Sequence, residues 1–146
     1  MTESVREKLA KDIELVLADI RDPQIVKVTR EPFAVEELAI TQFPAILVST
    51  GLETRETVSM HTAGIRQGMI TYDLRAFVRG NQLDTKRNAI IEAIEEQLDS
   101  DRYRDQTGSV VLNSQITNIE VIDRQPPLAE VLITFEVDYV FTRGTT

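Results

Sequence analysis

The sequence predicts an α+β fold, a two-layer sandwich with a mostly antiparallel or mixed sheet of about five strands and two main helices packed on one face. Three observations predict it. Residues 69–79 alternate: Ile70, Tyr72, Leu74, Ala76 and Val78 point one way, and Thr71, Asp73, Arg75 and Arg79 the other. Residues 129–141 alternate more cleanly still, with Ala129, Val131, Ile133, Phe135, Val137, Tyr139 and Phe141 opposed to Glu130, Thr134, Glu136 and Asp138. Two other segments carry apolar stripes at helical spacing: Val5, Leu9, Ile13, Val16, Leu17 and Ile20, then Ile90, Ile91, Ile94 and Leu98.

In chain order, the first helix opens at a capping box, Ser4 with Glu7, although Thr2 could also start it. It stops at Arg21-Asp22-Pro23, because the residue before proline avoids helical ψ. A short strand is expected over Ile25 to Thr29. Glu31 to Phe43 reads either as a short helix around Val35 to Leu38 or as loop. Ala45-Ile46-Leu47-Val48 is apolar without alternation, which suits a central strand buried on both faces.

Gly51 to Arg66 is rich in Thr and Glu, holds the one histidine, His61, and shows no core pattern; an exposed hairpin or arm at 51–66 is expected. The strand ending at Arg79 is broken by Gly80-Asn81, and Asp84 or Thr85 can cap the second helix. Ser100 to Ser109 reads as a polar loop. In Val110 to Ile122 the apolar parity changes midway, which a bulge near Thr117-Asn118 would reconcile. Asp123 to Pro127 is a turn, so the last two strands form an antiparallel hairpin.

The 146 residues suit a single domain, 1–146, without internal repeat or linker. There are no cysteines, hence no disulfides or thiolate metal sites, which fits a reducing cytoplasm. No apolar run approaches the ~20 residues of a membrane span, and the polar Met1-Thr2-Glu3-Ser4 start is unlike a signal peptide. A net charge of −8 is a poor basis for gripping nucleic acid.

No catalytic, cofactor or metal site emerges. Asp99-Ser100-Asp101 opens like a calcium loop, but Tyr103, Arg104 and Val110 stand where ligands and a glycine belong. His61 near Ser59 has no third group to complete a triad. Gly64 to Gly68 precedes a strand and lacks the Lys-Ser/Thr of a phosphate loop. Glu36-Glu37 and Glu95-Glu96 are helix neighbours that do not face each other. One pattern stands out: Arg75 and Arg79 share a polar row on one strand, and Glu130, Glu136 and Asp138 share one on another. Adjacent strands would pair these rows at about 0.2–1 kcal/mol per contact; at edges the rows would face a second subunit.

The layout, with local phrases such as Phe43-Pro44-Ala45-Ile46-Leu47-Val48, Tyr72-Asp73-Leu74-Arg75-Ala76-Phe77-Val78, Arg79-Gly80-Asn81 and Leu132 to Tyr139, resembles tail terminator (minor tail or tail completion) proteins of tailed bacteriophages over nearly the whole chain. The resemblance implies a structural virion protein at the tail/neck junction, made in the host cytoplasm. It implies a homo-oligomeric ring, usually of six copies, that caps the head-proximal end of the tail tube. Such a ring stops tube polymerisation and offers a surface to a neck or head-completion protein, while DNA passes through without specific binding. It implies no enzyme activity, no cofactor and no membrane. The expected subunit contacts are Thr54, Arg55, Glu56 and His61 in the arm, then Arg75, Arg79, Glu136 and Asp138. Another neck or connector protein, a tube-initiation component, or a small ligand-binding regulatory domain are the competing readings.

Overall fold

The computed structural model describes residues 4–57, 65–101, 104 and 111–142, with backbone alone at 56, 57, 65, 66, 141 and 142. Two helices, α1 (Val5–Ala18) and α2 (Leu83–Asp99), lie on one side of a five-stranded mixed sheet. The strands are β1 (Lys27–Thr29), β2 (Ala45–Thr57), β3 (Ile65–Arg79), β4 (Val111–Ile122) and β5 (Leu128–Thr142), in the order β1-β2-β3-β5-β4. β1 runs parallel to β2 and every other pairing is antiparallel. This is the α+β sandwich that the two alternating strands and two apolar stripes predict.

The core fills the space between the helices and the sheet. Leu9, Ile13 and Leu17 of α1, Ile90, Ile94 and Leu98 of α2, and the inward row of β3 and β5 are all buried in it. α1 starts as the capping box requires: the Ser4 hydroxyl accepts the Glu7 amide at 3.2 Å. The bulge near Thr117 is present, as a register shift between Ile116 and Asn118 against β5, and a second shift lies between Val111 and Asn113. The segment after Glu31 holds two short 3-10 turns, Val35–Glu37 and Ile40–Gln42.

Four expectations change. β2 is interior and buried on both faces at Ala45 and Ile46, but it is not the middle strand, which is β3: on its far side β2 has the three-residue β1. Its outer face is closed at Ala45, next to Phe77, whose ring meets Phe33 edge-on at 5.6 Å. A loop, not a second helix, therefore covers that corner. β1 begins at Lys27 because its partner strand begins at Ala45, behind a proline with no amide to pair; Val26 is left 52% exposed. α2 starts at Leu83, ahead of both expected caps. Gly80 (φ +123°) and Gln82 (φ +52°) turn the chain early, and Asp84 then sits in the first turn, paired with Arg87 at 2.8 Å. In the loop read as polar, Arg104 is fully buried.

Candidate interaction surfaces

The face of the sheet away from the helices carries a polar row. Across it run Thr54, Met69 and Asp138, then Thr71 and Glu136, then Ser49, Asp73 and Thr134, then Arg75 and Leu132, in successive ladder positions. The predicted charge rows are neighbours, but register offsets them. Glu136 faces Thr71 and Gln115, Asp138 faces Met69 and Asn113, and Arg79 faces Leu128. Only Arg75 finds an acid of the opposite row: it donates to Glu130 at 2.7 Å, diagonally across the ladder. Glu130 is 1% exposed and also accepts from Arg124 at 2.8 Å. Arg124 continues to Glu36 at 2.8 Å and lies over the Phe77 ring. The guanidinium of Arg124 is held firmly protonated by its bond to Glu130. These links tie the loop around Glu36 to the sheet and leave Arg75 engaged within its own chain.

The predicted arm continues the sheet. β2 pairs with β3 out to Thr57 and Arg66, and β3 pairs with β5 out to Ile65 and Thr142. Thr54 and Arg55 come together with Asp138 around a shallow cavity of about 250 Å³, with Gln67, Gly68 and Met69. Glu56 stands opposite Gln67 on the backbone ladder. His61 lies outside the described residues.

On the helix side, the root of this hairpin is gathered around Glu53, a residue the sequence did not single out. Glu53 accepts from Arg6 at 3.3 Å, from Arg55 at 3.0 Å and from the Tyr139 hydroxyl. Tyr139 is buried, and burial first, then the bond to Glu53, pushes its phenol up to about 12. Beside it the Tyr72 hydroxyl donates to the Arg6 carbonyl at 3.0 Å, and burial raises its pKa as well. The two buried tyrosines thus pin the N-terminal turn of α1 to the hairpin root. Near them Arg30 grips Glu7 through two bonds of 2.7 and 2.9 Å, and this grip holds the Glu7 carboxyl below its ordinary range. The available signal for this cluster was two tyrosines on the apolar parity, since a buried phenol demands a polar partner.

A second buried polar group joins the helices. Arg104 donates to the carbonyls of Leu98 at 2.7 Å and Asp101 at 2.6 Å, closing the end of α2. Its guanidinium also stands 3.4 Å from Asp12 of α1. Burial raises the Asp12 pKa, opposed by the Arg104 charge.

Among the described residues no group of three or more His, Cys, Asp or Glu could hold a metal ion. Among the same residues no helix is long and apolar enough to cross a membrane. The described residues offer a polar sheet face, an extended hairpin and two sheet edges.

No family model matches the chain, and no curated protein matches it. Among solved structures, a chain of the "Virion of native gene transfer agent (GTA) particle" is similar, with a TM-score of 0.57. The match covers 96% of this chain and 100% of that one, at 9% identity. At that identity the likeness is one of fold, and it spans the whole of both chains: this α+β sandwich is a fold also found in a chain of a virion particle.

Proposed function

We propose that this chain is a structural protein of a phage-like virion, working through its surfaces as a tail terminator. The observation that carries the reading is the end-to-end fold match to a virion chain. It agrees with the resemblance in layout and phrasing to tail terminators. In this reading copies form a ring, six in number by the resemblance, on the head-proximal end of the tail tube. The ring halts tube growth and receives a neck or head-completion protein. The segment 51–66, with Thr54, Arg55, Glu56 and His61 as the contact residues, meets a neighbouring copy. Glu136, Asp138 and the rest of the polar sheet face form a second contact. The net charge of −8 suits a channel that lets DNA slide past, because carboxylates repel phosphates.

Mass measurement of the free chain over a range of concentrations tests the ring: a closed oligomer is expected, and a monomer throughout overturns it. A neck or tube-initiation position is the second reading, favoured by the breadth of the match, which names a particle and not a place within it. Electron microscopy of particles carrying a labelled copy separates the two. Label on the last, head-proximal ring of the tube supports the terminator, and label on the head side of that ring or at the distal end of the tube refutes it.

A further inference from the structure

Two surfaces of this chain have complementary chemistry and cannot reach each other within one copy. The first is a recess of about 280 Å³ where β3 runs into α2. Pro23, Phe43, Pro44 and Val78 make it apolar, and Arg79 and Lys86 line it too. Among the described side chains, Arg79 is the one arginine without an acidic partner. Arg6, Arg21, Arg30, Arg55, Arg75, Arg87, Arg104 and Arg124 each have one. Lys86 donates to a carbonyl, that of Arg79, at 3.2 Å. Exposed Ile40 at the recess and Val26 near it extend the apolar surface.

The second surface is the free edge of the sheet. Among the described strands β4 pairs only with β5, so beyond Ser114 its other side is an open sheet edge. Ile119 and Val121 stand opposite the buried Ile133 and Val131, so they share the helix-side face. Yet they are 40% and 51% exposed, aliphatic side chains beyond the cover of α2. Glu95 and Asp99 of α2 border the same groove as Ile119, and among the described residues neither has an ion-pair partner.

An apolar recess flanked by uncommitted cations fits an aliphatic ridge flanked by uncommitted carboxylates. β3 and β5 separate β2 from β4, so a single chain does not close this contact. We propose that the recess beside Arg79 and Lys86 receives the β4 edge of a second copy. Ile119 and Val121 enter it, and Glu95 and Asp99 meet the two cations. The inference rests on the ring reading and names its contact. Unlike surfaces joined head to tail continue from copy to copy and close at a fixed rotation. The cations matter because copies carrying −8 each repel one another elsewhere.

The test uses the full chain and sedimentation over a range of concentrations. One variant carries Arg79→Glu with Lys86→Glu, the other Glu95→Arg with Asp99→Arg. Each alone should weaken self-association about tenfold or more while keeping the wild-type circular dichroism and Tm. Mixed in equal amounts they should assemble again, since every contact between unlike variants is once more attractive. Should a reversal variant melt early, Ile119→Asp at its exposed position probes the same contact, and unchanged assembly there counts against it. Unchanged assembly of both reversal variants overturns the contact and leaves the ring. Loss without rescue in the mixture overturns the pairing of these two surfaces. A wild-type chain that stays monomeric overturns the ring reading and this contact together.

Discussion

Tyr139 lies across Gly68: the two residues are partners in the β3–β5 ladder, and the ring fills the space a side chain at 68 would occupy. A Cβ there would come within 2.5 Å of the ring carbon that bears the hydroxyl. The ring cannot move freely, because its hydroxyl is bonded to Glu53. Gly68→Ala should therefore destabilise the fold by about 1–3 kcal/mol, the range for overpacking a filled site. Urea denaturation measures it, and a loss below experimental error would show that the ring yields without cost.

The same phenol gives a pH dependence. Tyr139 is raised from 10.0 to about 12, so the folded chain holds this proton more tightly than the unfolded chain does. Its stabilisation is whole below pH 10.0 and is lost as pH rises toward about 12. The urea midpoint should fall across that window, and Tyr139→Phe should flatten part of the fall. Ultraviolet titration of the folded protein checks the cause: the three tyrosines should not all ionise together near 10.0.

Asp12 and Arg104 predict a different signature. Asp12→Ala removes the carboxylate that stands 3.4 Å from a fully buried guanidinium and should cost about 3 kcal/mol. Replacing both, as Asp12→Leu with Arg104→Met, should cost less than the single change, because no buried charge remains. A double-mutant cycle on urea midpoints reads the difference. Equal losses in the single and double variants would mean that the two carbonyl bonds of Arg104, not its pairing with Asp12, carry its role.

Glu130 makes the third case. Glu130→Ala removes the buried carboxylate that joins Arg75 to Arg124 and should cost about 1.5–3 kcal/mol, the range for losing charge-assisted bonds, since both arginines are partly exposed and Arg124 keeps Glu36. Arg75→Ala should cost about 1 kcal/mol, since Arg75 is partly exposed and Arg124 still neutralises Glu130. Arg75→Glu should lower Tm sharply, setting a carboxylate against the buried Glu130. Thermal melting of the three variants ranks them, and an unchanged Tm in Arg75→Glu would return Arg75 to a role between copies.

What was legible in the sequence was local. Ser4 and Glu7 signal a helix start within four residues, and the parity change between Ile116 and Ile119 signals a bulge within one strand. The alternation of 70–78 and 129–139 names the buried row of both strands, because each residue's direction follows from its neighbours. The illegible parts join distant positions. Arg104 reads as loop polarity because arginine is almost never fully buried unpaired, and its partner Asp12 lies on the first helix. Gln82 caps α2 by adopting positive φ, which no side-chain preference announces. For the candidate surfaces, the charge rows of Arg75 and Glu130 were visible, but their offset needs the register, and the hub at Glu53 needs the tyrosines folded over it.

The hairpin itself shows why 51–66 looked patternless. Between Thr50 and Glu53, β2 spends one residue more than β3 does between Tyr72 and Ile70. Gly51 and Leu52 take up the excess, with Leu52 bonded through its amide and carbonyl to the Thr71 hydroxyl. Even-numbered residues look toward the helices before this step and odd-numbered residues after it, so the alternation is out of phase with itself. Such a step bends and twists the strand that contains it. The direction in which the hairpin projects is thereby separate from the side chains it displays. Removing Leu52 would straighten the path of the hairpin while Glu53 and Arg55 kept their partners on β3. Evolution could re-aim this reach toward a differently spaced neighbour by adding or dropping one residue, without redesigning either surface.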